Sequence, residues 1–158
     1  MKYFYFLTAL CTVPTLAMDV VYKVEDFLTT RDNTRIQACT VKQKNNTTQY
    51  REVGSILFSG DFIKYLWVQD AFQKKGIGSE LFAQALDQIK SSGAPKAEWF
   101  ADEAVPFYLR LGAKVTEIPF GQNKSDQKDS ANMEFVFHRD GDARKNLEHF
   151  KKIFNPIR

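Results

Sequence analysis

Between Thr34 and Gln43 the chain reads TRIQACTVKQ, apolar and polar side chains taking turns. That is the period of a strand with one buried face. The polar run KNNTTQ interrupts it and REVGSILFSG (51–60) resumes strand character, which predicts a hairpin. Gly60-Asp61 reads as a second tight turn, leading into FIKYLWV (62–68) as the third strand of an antiparallel meander. From Gly78 the period changes: Leu81, Phe82, Ala85, Leu86 and Ile89 recur at helical spacing until Gly93 and Pro95 stop the run. KAEWFA (96–101) is short and apolar enough for a buried strand, EAVPFYLRLG predicts a short helix ending at Gly112, and AKVTEIPF predicts a further strand. GQNKSDQKDS reads as a loop and ANMEFVFHR as the strand that closes the sheet. In ARKNLEHFKKIF, Leu147, Phe150 and Phe154 fall on one face of a surface helix. This mixture is α+β, with one sheet that contains a parallel pair across the central helix.

Composition narrows the picture. In 158 residues, 44% are hydrophobic and 14% aromatic, the makings of one domain with a real core. Twenty-two basic against 19 acidic residues give a net charge of +3, far short of a dedicated nucleic-acid binder. The N-terminal MKYFYFLTALCTVPTLAMD has one lysine, an apolar run, Pro14, and Thr15 and Ala17 at the small-residue positions of a secretory cut. Residues 1–17 are thus expected to be a signal peptide, with one domain over 18–158. The competing reading makes YFYFL a first core strand and keeps the protein cytoplasmic. Beyond this segment no stretch is apolar for long enough to span a bilayer as a helix. Cleavage after Ala17 would leave Cys39 as the lone cysteine, in an alternating run with no histidine nearby, and it reads as a small buried residue. His138 and His149 suggest no metal site, and both are expected at the surface.

Candidate chemistry gathers at QKKGIGS, residues 73–79, where a strand ends and a helix begins. First-turn amides have no partners inside a helix, the helix dipole favours negative charge there, and glycines admit a bulky phosphate. Lys74 and Lys75 add charge at the rim. The stretch lacks the Gly-Lys-Ser/Thr ending of a P-loop, and Leu81 stands where a dinucleotide fingerprint needs its third glycine.

Gln73-Lys74-Lys75-Gly76-Ile77-Gly78 resembles the Q/R-x-x-G-x-G/A signature of the GCN5-related N-acetyltransferase (GNAT) superfamily. AVPFYLRLGAKV (104–115) is similar to the FYxxLGF segment of the same family, and Met133 fits an apolar position of its last strand. The resemblance runs from about Gly54 to Phe137. It implies a GNAT-like mixed, mostly antiparallel central sheet flanked by helices, and an enzyme that moves acetyl from acetyl-CoA to a primary amine by direct attack.

By the same resemblance, the backbone of Leu66, Trp67 and Val68 would pair with the pantetheine arm. Gln73, Lys74, Lys75, Gly76, Ile77, Gly78 and Ser79 would hold the pyrophosphate, and Tyr108 would protonate the leaving thiolate. An amide of the strand before the glycine loop, that of Val68, would serve the oxyanion. The implied partners are acetyl-CoA and an amine acceptor, either a small molecule or a protein lysine or N-terminus. No metal and no nucleic acid are implied, and a homodimer stays open.

The alternatives are a non-catalytic or regulatory CoA-binding module, a secreted protein-modifying effector, and a basic protein that meets membranes through residues 143–158. Ala101, with Asp102 beside it, stands where many relatives place an asparagine, and Ala113 replaces the aromatic that ends the LGF piece. Glu52, Asp61, Asp70, Asp102 and Glu103 are all candidates for the general base. Residues 18–33 leave space for one short element where relatives have a strand and two helices, a shortened N-terminal region that predicts an open acceptor site.

Overall fold

The computed structural model describes residues 19–27, 33–102, 104–117, 130–141 and 145–146. The signal-peptide segment, Glu103, most of the polar loop before the last strand, His149 and the Leu147, Phe150 and Phe154 stripe lie outside the described residues.

Seven strands form one sheet in the order β1-β2-β3-β4-β5-β7-β6. They are β1 Val20–Phe27, β2 Asn33–Lys44, β3 Thr47–Ser59, β4 Phe62–Val68, β5 Lys96–Asp102, β6 Lys114–Glu117 and β7 Ser130–Val136. The helices are α1 Ile77–Ser91, α2 Val105–Arg110 and α3 Phe137–Asp140. All neighbouring strands run antiparallel except β4 and β5, which are parallel across α1. The α+β class with a mostly antiparallel mixed sheet therefore holds.

The meander is one strand longer than the alternation alone indicated, because β1 pairs with β2 along its whole length. Its β2–β3 turn is tighter than KNNTTQ suggested. Asn45 and Asn46 carry φ of 49° and 59°. Two left-handed central residues suit the twist of a two-residue hairpin, and asparagine tolerates that region. Thr47 to Tyr50 consequently belong to β3.

Helix α1 buries Ile77, Leu81, Phe82, Ala83, Ala85, Leu86 and Ile89 against one face of the sheet, and Gly93 at φ 89° follows its end. Ile36, Ile56, Ile63, Trp99, Met133 and Phe135 meet it from the strands. Cys39 is buried, and burial raises its thiol pKa.

One boundary differs from the sequence reading. Phe137, His138 and Arg139 are helical rather than part of the closing strand. The last pair of the β5–β7 ladder is Lys96↔Val136. Pro95, with no N–H, cannot extend it. Instead the Phe137 N–H donates to the Pro95 carbonyl at 3.2 Å and the chain turns away. His138 is exposed.

Candidate active site

The parallel pair at the centre of the sheet comes apart soon after it forms. Phe62↔Glu98 and Ile63↔Trp99 are its only register pairs. Beyond them β4 holds to β3 alone, with Leu57↔Tyr65 following Phe58↔Ile63, so that Lys64 is an extra residue, a bulge. Bulges bend and twist their strand. The bend carries the second half of β4 away from β5 and leaves a wedge-shaped gap.

The ladder decides which backbone groups line that gap. Gln69 N–H donates to the Val53 carbonyl at 2.9 Å, next to the Gly54↔Val68 pair. Antiparallel ladders alternate bonded and non-bonded pairs. Gly54↔Val68 and Ile56↔Leu66 are hence non-bonded pairs, and the N–H and C=O of Leu66 and Val68 turn from β3 toward the gap. Trp67 stands opposite Ser55 in the bonded set, so its backbone faces β3. Of the three residues expected to meet pantetheine through the main chain, Leu66 and Val68 present backbone groups to the gap and Trp67 presents a half-exposed side chain on the face opposite α1.

Gly54 makes the tight packing here possible. A Cβ on it would sit 2.9 Å from the Trp67 carbonyl oxygen and 3.3 Å from Leu81 Cδ1. Contacts that short need the backbone of β4 to shift.

The gap opens toward the glycine loop. A 3-10 turn, Asp70–Phe72, leads out of β4. Gln73 Nε2 then donates to the Val68 carbonyl at 3.2 Å and to Asp70 Oδ1 at 3.0 Å, tying the loop to the strand end. Lys74 is left-handed at φ 59°, and so is Gly76 at φ 83°. Gly76 is the N-cap of α1 with no side-chain capping bond, and the first helical bond runs from the Glu80 N–H to the Gly76 carbonyl. The amides of Gly76, Ile77, Gly78 and Ser79 therefore precede the first intrahelical donor, the free set that every helix start leaves. Lys74 and Lys75 are exposed beside them, and Lys75 Nζ lies 5.1 Å from the Phe72 ring centroid.

Gly78 differs from both other glycines. Its φ is not positive, and a Cβ would meet Val68 Cγ2 at 3.5 Å and Phe107 Cζ at 3.9 Å, ordinary contacts. The fold does not demand glycine at this position; close approach of a bound group would.

Below the gap, on the α1 face, Tyr108 sits among aromatic rings. Its centroid is 5.2 Å from Phe82, 5.0 Å from Trp99 and 4.9 Å from Phe107. Phe107 links this cluster to Gly78. Burial pushes the Tyr108 pKa up to about 12, so the hydroxyl keeps its proton at neutral pH and can donate. Trp99 Nε1, in the same cluster, is enclosed with no partner among the described residues. Sequence reasoning did not assemble Phe82, Trp99 and Phe107 around the tyrosine; Phe107 in the FY pair was the one signal within reach.

The carboxylates separate as well. Glu52 pairs with Arg35 and accepts from Gln37 Nε2 at 3.4 Å. Asp70 accepts from Gln73, and Asp61 lies in the turn before β4, its carbonyl accepting from the Glu98 N–H at 2.9 Å. Asp102 is exposed at the end of β5, on the far lip of the gap. Among the described residues no group of three or more His, Cys, Asp or Glu side chains is placed to hold a metal, and no helix is long and apolar enough to cross a membrane.

Among solved structures the chain is similar to an IAA acetyltransferase from Bacillus cereus ATCC 14579, at 14% identity and TM-score 0.54 over 75% of this chain and 100% of that one. It is also similar to a nourseothricin acetyltransferase, at 14% identity and TM-score 0.52 over 75% and 85% of the two chains. A third likeness is to a NatC complex bound to Gag peptide and CoA, at 17% identity and TM-score 0.52 over 65% and 70%. At these identities the likeness is one of fold. No curated protein matches the chain by sequence. A family model described as an acetyltransferase (GNAT) domain matches residues 25–112, more than half of the 158. With a parted parallel pair, a glycine loop and a family match over the same segment, the chain belongs to the GNAT acetyltransferase family.

Proposed function

We propose that the protein transfers an acetyl group from acetyl-CoA to a primary amine by direct attack in a ternary complex. The observation that carries this reading is the gap itself. Backbone groups of Leu66 and Val68 face it, the free amides of Gly76 to Ser79 close one end, and protonated Tyr108 lies beneath.

In this reading pantetheine lies in the gap as an added strand, and the pyrophosphate rests on residues 74–79. The Val68 N–H stabilises the oxyanion as the amine adds to the thioester carbonyl. Tyr108 gives its proton to the departing sulfur. Gln73 acts by holding the loop against Val68 rather than by touching the cofactor. The CoA in the NatC complex, a structure of the same fold, supports a CoA-type donor. Incubation with acetyl-CoA and a panel of amines and peptides, read by mass spectrometry, tests the reading. A mass gain of one acetyl group is the expected result, and no acetylation across the panel refutes it.

Export is part of the proposal only through residues 1–17. Acetyl-CoA is a cytoplasmic metabolite, so an exported form would find its donor inside a host cell. An intact Met1 on N-terminal sequencing of the mature protein overturns export and leaves a cytoplasmic enzyme.

A further inference from the structure

Tyr65 and Trp67 of β4 and Phe100 and Asp102 of β5 flank the gap on the face opposite α1. Phe62 and Glu98 are register partners, so they share a face. With Lys64 as an extra residue in β4, Tyr65 and Trp67 return to the face of Phe62, the face that Phe100 and Asp102 share with Glu98 on β5. On β5, Ala97, Trp99 and Ala101 are buried in the core, which turns Phe100 and Asp102 to the other side. On β4, Leu66 and Val68 pack against the core, which turns Tyr65 and Trp67 to that same side. Tyr65 is 42% exposed, Trp67 47% and Phe100 48%, and Asp102 is exposed too. Three large aromatics half in water on either side of one opening, with a carboxylate at its end, form a patch that packing alone does not explain.

On the other face, Val68, Phe107, Tyr108 and Phe82 pack together beneath α1, so a nucleophile coming from water meets the gap first at the exposed side chains of its two lips. The open route is between the two lips.

We propose that these four residues form the acceptor site and that it takes a primary ammonium on an extended aliphatic stem, as a lysine side chain presents. The inference rests on the transferase reading above. Aromatic faces attract ammonium ions and cover a methylene stem, and the carboxylate supplies the counter-charge. Asp102 takes one proton from the ammonium, directly or through a water. The freed nitrogen lone pair forms the N–C bond at the thioester carbonyl, the C–S bond breaks with its electrons going to sulfur, and the nitrogen gives its second proton to water. Tyr108, on the opposite side of the gap, protonates that sulfur; its phenolate regains a proton from water, and Asp102 returns its own to solvent. The sum is ammonium plus acetyl-CoA giving the amide, CoA thiol and one proton.

The test compares wild type with Asp102→Asn and Phe100→Ala. A capped lysine peptide and a free aliphatic diamine serve as acceptors, with an uncharged aryl amine as control. Each variant is expected to raise the acceptor KM about tenfold, the size of losing one cation-binding contact, while acetyl-CoA Kd stays put. Asp102→Asn should also lower kcat, since the variant cannot take the ammonium proton, whereas Phe100→Ala should leave kcat in place. Sensitivity with peptide alone identifies a polypeptide lysine as the source, and with both acceptors a free amine as well; either supports the site. Unchanged acceptor KM in both variants overturns it, as does preference for the aryl amine or a parallel loss of acetyl-CoA affinity. Quenching of Trp67 fluorescence by the capped peptide, absent in Asp102→Asn, reads the site without turnover. The two failures are therefore distinct: quenching without acetylation defeats the transferase reading and keeps the site, and acetylation without quenching does the reverse.

Discussion

Gly78→Ala separates what the fold needs from what a bound cofactor needs, because its effects on stability and on binding should have opposite signs. The added methyl group would lie 3.5 Å from Val68 Cγ2 and 3.9 Å from Phe107 Cζ, with no positive φ to resist it. Replacing glycine by alanine inside a helix stabilises by about 0.5–1 kcal/mol when the backbone is already compatible. Position 78 is in the first turn of α1, so the lower end applies, a rise in Tm of about 1–2 °C. The same methyl group stands where a pyrophosphate would approach the Gly78 amide, and a weakening of acetyl-CoA binding by at least about tenfold, or 1.4 kcal/mol, is expected.

Two neighbouring glycines calibrate the result. Gly76→Ala meets no atom within 4 Å but must adopt φ 83°, at a cost of about 1–2 kcal/mol. Gly54→Ala puts its Cβ 2.9 Å from a backbone oxygen and should cost about 1–3 kcal/mol through displacement of β4. Thermal unfolding and calorimetric titration with acetyl-CoA measure both quantities on each variant. A Gly78→Ala protein that is less stable than wild type, or that binds acetyl-CoA unchanged, refutes the reasoning.

Tyr108→Phe keeps the ring contacts and removes the donor, so turnover should fall on the order of a hundredfold while acetyl-CoA affinity is retained; equal turnover would remove the hydroxyl from the chemistry. The raised pKa also predicts an alkaline effect. The native state holds the Tyr108 proton more tightly than the unfolded chain, so this contribution is complete below the ordinary value of 10 and is lost as pH climbs through about 12. That is about 3 kcal/mol across the interval, read as a steeper alkaline loss of stability in wild type than in Tyr108→Phe. Phe82→Ala would open a cavity beneath Tyr108 and should cost about 3–5 kcal/mol in urea unfolding, since Phe82 is fully buried and touches Trp99 and Phe107 as well.

Much of this molecule was written locally. The alternation in 34–43, the helical spacing after Gly78 and the stops at Gly93 and Pro95 placed β2, α1 and the start of β5 with little error. Phe62–Val68 matched β4 residue for residue. The glycine loop was legible because its requirements, free amides and a left-handed turn, concern the residues that carry them. Strand faces were not, since a one-residue shift in register reverses every side chain. Lys64 looks like any residue of an alternating strand until β3 pairs around it and the bulge bends β4 away from β5.

That bulge, with the phase of the β3–β4 ladder beyond it, decides that backbone groups of Leu66 and Val68 face the gap while those of Trp67 face β3. It also sets Tyr65 and Trp67 on the same face as Phe100 and Asp102. Gly54 and Gly78 are equally plain in the sequence, and only the packing tells them apart: a Cβ on the first collides with a backbone oxygen, and on the second it meets ordinary contacts. Most elements, the glycine loop and the family resemblance were readable along the chain, because those depend on neighbours in sequence. The tertiary structure alone decided where the sheet opens and which groups line it, because both depend on pairing between strands far apart in sequence.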